Sequence, residues 1–234
     1  MCNLEMYVER EEEQQNTLPA EDIQDDGVPT ADASREWLPQ RNLCVEDRVA
    51  IVTDQEINDK VIDACQAILK QKCNVSGLES SLLCQINGYK SAEGYDNVQI
   101  HFDSERGHWV TSSTLRNRVE IADSLFNGKL SAAITNQLCQ IYGCLAVDEV
   151  LDVFVLPTQR QNNGTDCCCH AVATAVEFLL EDGDPTADFA VERIRQHLVA
   201  CLENDSFEPF PKSVKRRRGR KVTRNIKLSL AGKT

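Results

Sequence analysis

Gln161-Asn162-Asn163-Gly164-Thr165-Asp166-Cys167-Cys168-Cys169-His170 sets an amide-rich loop directly against the apolar run Ala171-Val172-Ala173-Thr174-Ala175-Val176. Asn163 and Gly164 form a turn signal, and the run behind them predicts a helix from about Cys167 to Leu180, stopped by Gly183. A cysteine in the first turn of a helix lies among unpaired backbone N–H groups at the positive end of the helix dipole, which favours thiolate over thiol. Cys167 is therefore a candidate nucleophile. The same residues also suit a plainer arrangement, a helix capped by Asp166 and followed by packing cysteines.

A nucleophile of this kind needs a base, and the chain has four histidines. His108 stands at the start of a predicted strand, in Gly-His-Trp-Val. His101 alternates out of phase with Val98, Ile100 and Phe102 and should face the other side of its strand. His170 follows Cys167 within the helix, and His197 falls in a later one. An orienting carboxylate must hold the far imidazole nitrogen. Asp123 qualifies, because it ends a strand expected to pair with that of His108. A side-chain amide just before the nucleophile, Gln161, can join the backbone N–H of Cys167 as oxyanion donor.

Outward from this segment, Ile57, Val61, Ile62, Cys65, Ile68 and Leu69 follow helical spacing, with Asp54 as the expected cap and an end near Lys72. Gly, Ser and Asn between residues 74 and 94 suggest loops. Three alternating runs around Val98–Phe102, His108–Ser113 and Val119–Ile121 predict an antiparallel meander with turns at 104–107 and 115–117. A helix over 131–142 precedes Gly143, a strand spans Leu151 to Leu156, and Asp184 with Pro185 should open a last helix carrying Phe189, Ile194, Leu198, Cys201 and Leu202. Helices segregated from a mixed or antiparallel sheet make an α+β domain.

The 234 residues carry a net charge of -12, but unevenly. Residues 1–36 hold 11 acidic and 2 basic side chains, residues 37–211 hold 26 and 13, and residues 212–234 hold 10 basic and none acidic. This divides the chain into an acidic disordered arm (1–36), a folded domain (37–211) and a basic disordered tail (212–234). The tail reads as solvated chain or as a nuclear-localisation or nucleic-acid patch. No apolar stretch is long enough for a membrane span and the first residues lack a basic-then-apolar leader, so no membrane role is expected. Eleven cysteines without a Cys-x-x-Cys pair indicate a reducing compartment and free thiols, with Cys65, Cys139 and Cys201 as small hydrophobes. Three consecutive cysteines cannot easily surround one tetrahedral zinc, and no metal site is expected.

The order His-Trp, then Asp at the end of the next strand, then Gln-x-Asn-Gly-x-Asp-Cys opening a helix resembles the ubiquitin-like-protein (SUMO/sentrin-specific) cysteine proteases. Residues 53–69, with GLESSLL, VQIHF, GHWVTSS and IADSL, are most similar to diverged members from animal genomes and mobile elements. The likeness covers roughly residues 45–205. It implies a papain-like α+β fold of the ubiquitin-like protease type, with Cys167 as nucleophile, His108 as base then acid, Asp123 as orienting carboxylate and Gln161 as oxyanion donor. It also implies that Trp109 lines a narrow channel for the Gly-Gly end of a modifier, with Asn163 and Gly164 in the substrate loop. No cofactor is needed for thiol attack at that glycine, and the expected partner is a ubiquitin-like modifier or its conjugates, met by a monomer. Residues 212–224 would offer a weak contact to an import receptor or nucleic acid, implying a nuclear location alongside a cytoplasmic one. The chain departs from the pattern twice. Cys168 follows the nucleophile where glycine is usual, and Ile51 stands where many members have a channel-wall tryptophan. An inert protease-like module that binds a modifier or nucleic acid, and a processing protease for another substrate, are the competing readings.

Overall fold

The computed structural model describes residues 35–214 and 222–231. The acidic arm up to residue 34 lies outside the described residues, as do 215–221 and 232–234 of the basic tail. A small antiparallel pair, β1 (Glu36–Leu38) and β2 (Leu43–Cys44), leads into helices α1 (Val45–Val52) and α2 (Asp59–Lys72). The main sheet comprises β3 (Ser76–Gly77), β4 (Asn97–Asp103), β5 (His108–Ser113), β6 (Val119–Ala122), β7 (Val150–Val155) and β8 (Arg224–Ser229), in that spatial order. β4, β5 and β6 form the expected antiparallel meander, whereas β3–β4 and β6–β7 are parallel and β8 is antiparallel to β7. Helices α3 (Ala132–Tyr142), α4 (Cys167–Leu179) and α5 (Val191–Glu203) complete an α+β fold with a mixed sheet.

Strand alternation divides the core in two. Val98, Ile100 and Trp109 point to the face packed by α1, α2, α4 and α5, whereas Val110, Ile121, Val153 and Val155 pack with Ile134, Leu138 and Tyr142 of α3. All but the last of the thirteen residues of α4 are buried, as expected for a helix that is apolar all round. Cys168 and Cys169 belong to that core, and all ten cysteines among the described residues are free thiols. Where α4 ends, Gly183 lies so close to the Glu177 carbonyl that a Cβ would sit 1.8 Å from its oxygen. Only glycine fits there.

Four expectations change. Asn58, not Asp54, caps α2, its side chain accepting from the Val61 N–H at 3.2 Å, while Asp54 takes a left-handed backbone with φ 56°. The last helix begins at Val191, because Asp184 closes a local turn with Thr186 and the next residues run extended to bury Phe189 against Phe210. The loop between 74 and 94 contains the short β3 and a 3₁₀ turn at Ser81–Gln85. The basic tail is not all tail: residues 224–229 are β8, with Ile226 and Leu228 turned onto the α3-side core and Arg224, Asn225, Lys227 and Ser229 exposed. A period-two apolar pair is enough when β7 supplies the pairing edge and an apolar surface already exists. Leu228→Ala should therefore lower the unfolding free energy by about 2 kcal/mol in urea titrations, whereas a disordered tail would leave the midpoint unmoved.

Candidate active site

Four residues of turn, Ser104 to Gly107, join β4 to β5, and the register sets His108 opposite Asp103. β6 then returns antiparallel beside β5 and delivers Asp123 immediately after its last residue. The His108 Nε2 meets Asp123 Oδ1 at 2.7 Å, with both side chains almost fully buried. Asp123 is held from three sides, since Oδ1 also accepts from the Leu125 N–H at 2.8 Å and Oδ2 from Arg106 Nη2 at 2.8 Å. Arg106 in turn pairs with Asp103 at 2.5 Å, so two carboxylates share one guanidinium beneath the histidine. Burial alone would raise the Asp123 carboxyl, but the hydrogen bonds from His108 and Arg106 outweigh it and hold it below the ordinary carboxylate value.

Burial pushes the His108 imidazole down, yet the hydrogen bond to Asp123 and the proximity of Cys167 outweigh that cost and raise it to about 9. His108 Nδ1 is buried without a partner at standard hydrogen-bond distance, which leaves it available to the thiol. Cys167 is the first residue of α4 and is 7% exposed, at the floor of a cleft of about 520 Å³. Trp109 lines the same cleft, packed on Phe102 with ring centroids 4.8 Å apart.

Asp166 would ordinarily cap this helix, but it makes no capping bond. Its Oδ1 takes Arg195 Nε at 2.7 Å and its Oδ2 takes Asn163 Nδ2 at 2.8 Å. The first-turn N–H groups of α4, around Cys167, are thereby left without a side-chain cap. Arg195, from α5, is the buried organiser of the region. Besides Asp166 it donates to the Thr165 carbonyl at 2.7 Å and to the carbonyls of Ala50, Ile51 and Gln55 at 3.0–3.2 Å. One guanidinium thus ties the loop before the nucleophile to the C-terminal end of α1, where a cation also suits the helix dipole.

Gln161 is buried in the loop leading to Cys167. Its Nε2 donates to the Asn163 carbonyl at 2.8 Å and its Oε1 accepts from Ser124 Oγ at 2.6 Å, so one amide N–H remains for another acceptor. Asn163 builds the loop, its Oδ1 accepting from the N–H groups of Thr165 and Asp166. Gly164 lines the cleft with open space where a Cβ would be. Ile51 is not on the cleft. It is fully buried in the core, because α1 turns that face inward, and the cleft lining includes Ile57, Asn58 and Leu82 instead. Cys168 is likewise buried without disturbing the helix start, since the His170 N–H still reaches the Asp166 carbonyl at 3.0 Å. The other histidines stay apart. His101 is a neutral core residue between Ser112 and Gln137, pushed down to about 4 by burial, while His197 bonds the Glu208 carbonyl and His170 packs on Phe189.

Arg106 and Arg195 were not singled out by the sequence reading. A signal existed for each: Arg106 lies three residues after Asp103 across a tight turn, and Arg195 adjoins Ile194 on an amphipathic helix at a position that proves buried.

No protein-family model matches the chain, and neither does any curated protein. Among solved structures, the SUMO protease Ulp1 with its catalytic cysteine oxidised to a sulfinic acid aligns with a TM-score of 0.57 at 15% identity, covering 73% of this chain and 88% of that one. The sulfonic acid form aligns at 0.56 and 15% identity, covering 72% and 87%. The C-terminal Ulp1 protease domain in complex with Smt3, the yeast orthologue of SUMO, aligns at 0.51 and 15% identity, covering 70% and 83%. The chain therefore has the fold of these proteases. Replacing Arg195 by Met leaves the buried Asp166 carboxylate without a counter-charge and should cost about 3–5 kcal/mol in urea unfolding, while Arg195→Lys should recover only part, because a single ammonium cannot serve acceptors spread over α1 and the loop.

Proposed function

We propose that the protein is a cysteine peptidase that cleaves after the C-terminal glycine of a ubiquitin-like modifier, SUMO-like in kind, releasing either a lysine amine or a short peptide. The observation that carries this reading is the buried His108–Asp123 pair set against Cys167 at the floor of a cleft lined by Trp109. The shared fold, and the presence of Smt3 in one of the aligned complexes, favour a modifier of that class.

Cys167 Sγ attacks the glycine carbonyl carbon as thiolate. The oxyanion that forms takes the backbone N–H of Cys167 and the remaining Nε2–H of Gln161. Protonated His108 gives its proton to the departing amine, and the thioester is then hydrolysed by a water that His108 deprotonates. Asp123 holds the imidazole tautomer throughout, and Arg106 holds Asp123. The basic residues within 212–224 fit a nuclear location for this activity.

A panel of Gly-Gly-ended modifiers bearing an electrophilic C-terminal group tests the reading directly. At least one should form an adduct that Cys167→Ser abolishes; no adduct with any of them would favour an inert binding module instead. The pH dependence follows from the imidazole. Activity that needs its proton should fall as pH rises through about 9, and Asp123→Asn should move that limb to lower pH while reducing kcat by about 10³–10⁴-fold. Since His108 holds its proton more tightly folded than unfolded, its contribution to stability is complete below its ordinary value of 6.5 and disappears as pH climbs through about 9.

A further inference from the structure

A second cleft, of about 560 Å³, lies behind the catalytic carboxylate. Its walls include Asp123, Ser124 and Phe126 from the segment after β6, Thr158 and Arg160 from the segment after β7, and Arg224 from β8. In a chain of net charge -12, arginines tend to find carboxylates, and Arg35, Arg41, Arg48, Arg106, Arg116, Arg118 and Arg195 each have one within 4.0 Å. Arg160, Arg193 and Arg224 have none among the described residues, and of these Arg160 and Arg224 are both exposed and line one concavity. Arg224 is steadied over the Phe126 ring at 5.8 Å, and Gly128, at φ +111°, lies beside its guanidinium.

We infer that this cleft binds an acidic peptide segment, with two carboxylates taken by the guanidinium forks of Arg160 and Arg224. Fork geometry matches planar carboxylates bidentately, and a concavity of this size holds several residues rather than one small ion. Nucleic acid fits less well. Residues 37–211 carry twice as many acidic as basic side chains, which opposes a continuous phosphate backbone, and Phe126, the aromatic ring of the cleft wall, is already covered by Arg224. The site adjoins the catalytic set without being part of it. Its Thr158 hydroxyl donates to the Asp123 carbonyl at 3.2 Å, and its Ser124 hydroxyl donates to Gln161. The inference does not depend on turnover at Cys167.

Fluorescence anisotropy of a labelled hexapeptide of alternating Glu and Gly, titrated with the full chain at low ionic strength, tests it. The peptide should bind, weaken with added salt, and lose about ten-fold or more in affinity to Arg160→Gln/Arg224→Gln, a pair of exposed positions whose variant should keep the native circular dichroism spectrum. Three results would overturn the assignment: no binding; binding unchanged in the double variant but lost when the basic residues of 215–221 are neutralised; or an oligonucleotide of equal length bound more tightly with the same arginine dependence. Cys167→Ser should bind the peptide as the unsubstituted chain does, so a failure here is distinct from a failure of the peptidase reading.

Discussion

A single buried guanidinium holds the candidate site in its arrangement. Arg195 reaches from α5 to the end of α1, to Gln55 and to the loop that enters α4, satisfying the Asp166 carboxylate and four backbone carbonyls. These contacts are long-range in sequence and short in space, so the loop before Cys167 cannot drift without exposing a buried charge. The clamp also has a chemical consequence. By drawing Asp166 away from the capping position it leaves N–H groups at the helix start without a side-chain acceptor, beside the thiol.

The sheet contributes the other half of the geometry. β5 and β6 are adjacent and antiparallel, so the first residue of β5 and the residue after β6 fall at the same end of the sheet. The low exposure of this pair strengthens its electrostatics, and Arg106 moderates it by sharing the charge of Asp123. The competition is resolved in favour of the imidazolium, because the hydrogen bond to Asp123 and the neighbouring Cys167 outweigh its desolvation. Gln161 is coupled to this pair through Ser124, the next residue after Asp123.

Much of this was legible from local pattern. Apolar spacing located α2, α3 and α4 to within a few residues, and alternation located β4, β5 and β6 together with the opposed direction of His101. Errors arose where a residue type suited two roles. Asp54 and Asp184 are capable caps, yet Asn58 lies at the true start of α2 and Asp184 serves a turn. β8 was hidden because a run rich in Lys and Arg looks solvated until a neighbouring strand supplies a ladder and Leu228 finds an apolar floor. Ile51 falls by register where the resembled family has a channel-wall tryptophan, but a register does not say which face of α1 meets the core, and Ile51 is buried there.

The sequence by itself determined the helix-start thiol, the histidine and aspartate on neighbouring strands, and the α+β order of elements, because period, turn chemistry and spacing are properties of short segments. Only the tertiary structure decided how those groups are held. Arg106 and Arg195 act on partners brought by other elements, the clefts are spaces between segments far apart in the chain, and the balance of burial against hydrogen bonding that charges His108 exists only where both are present at once.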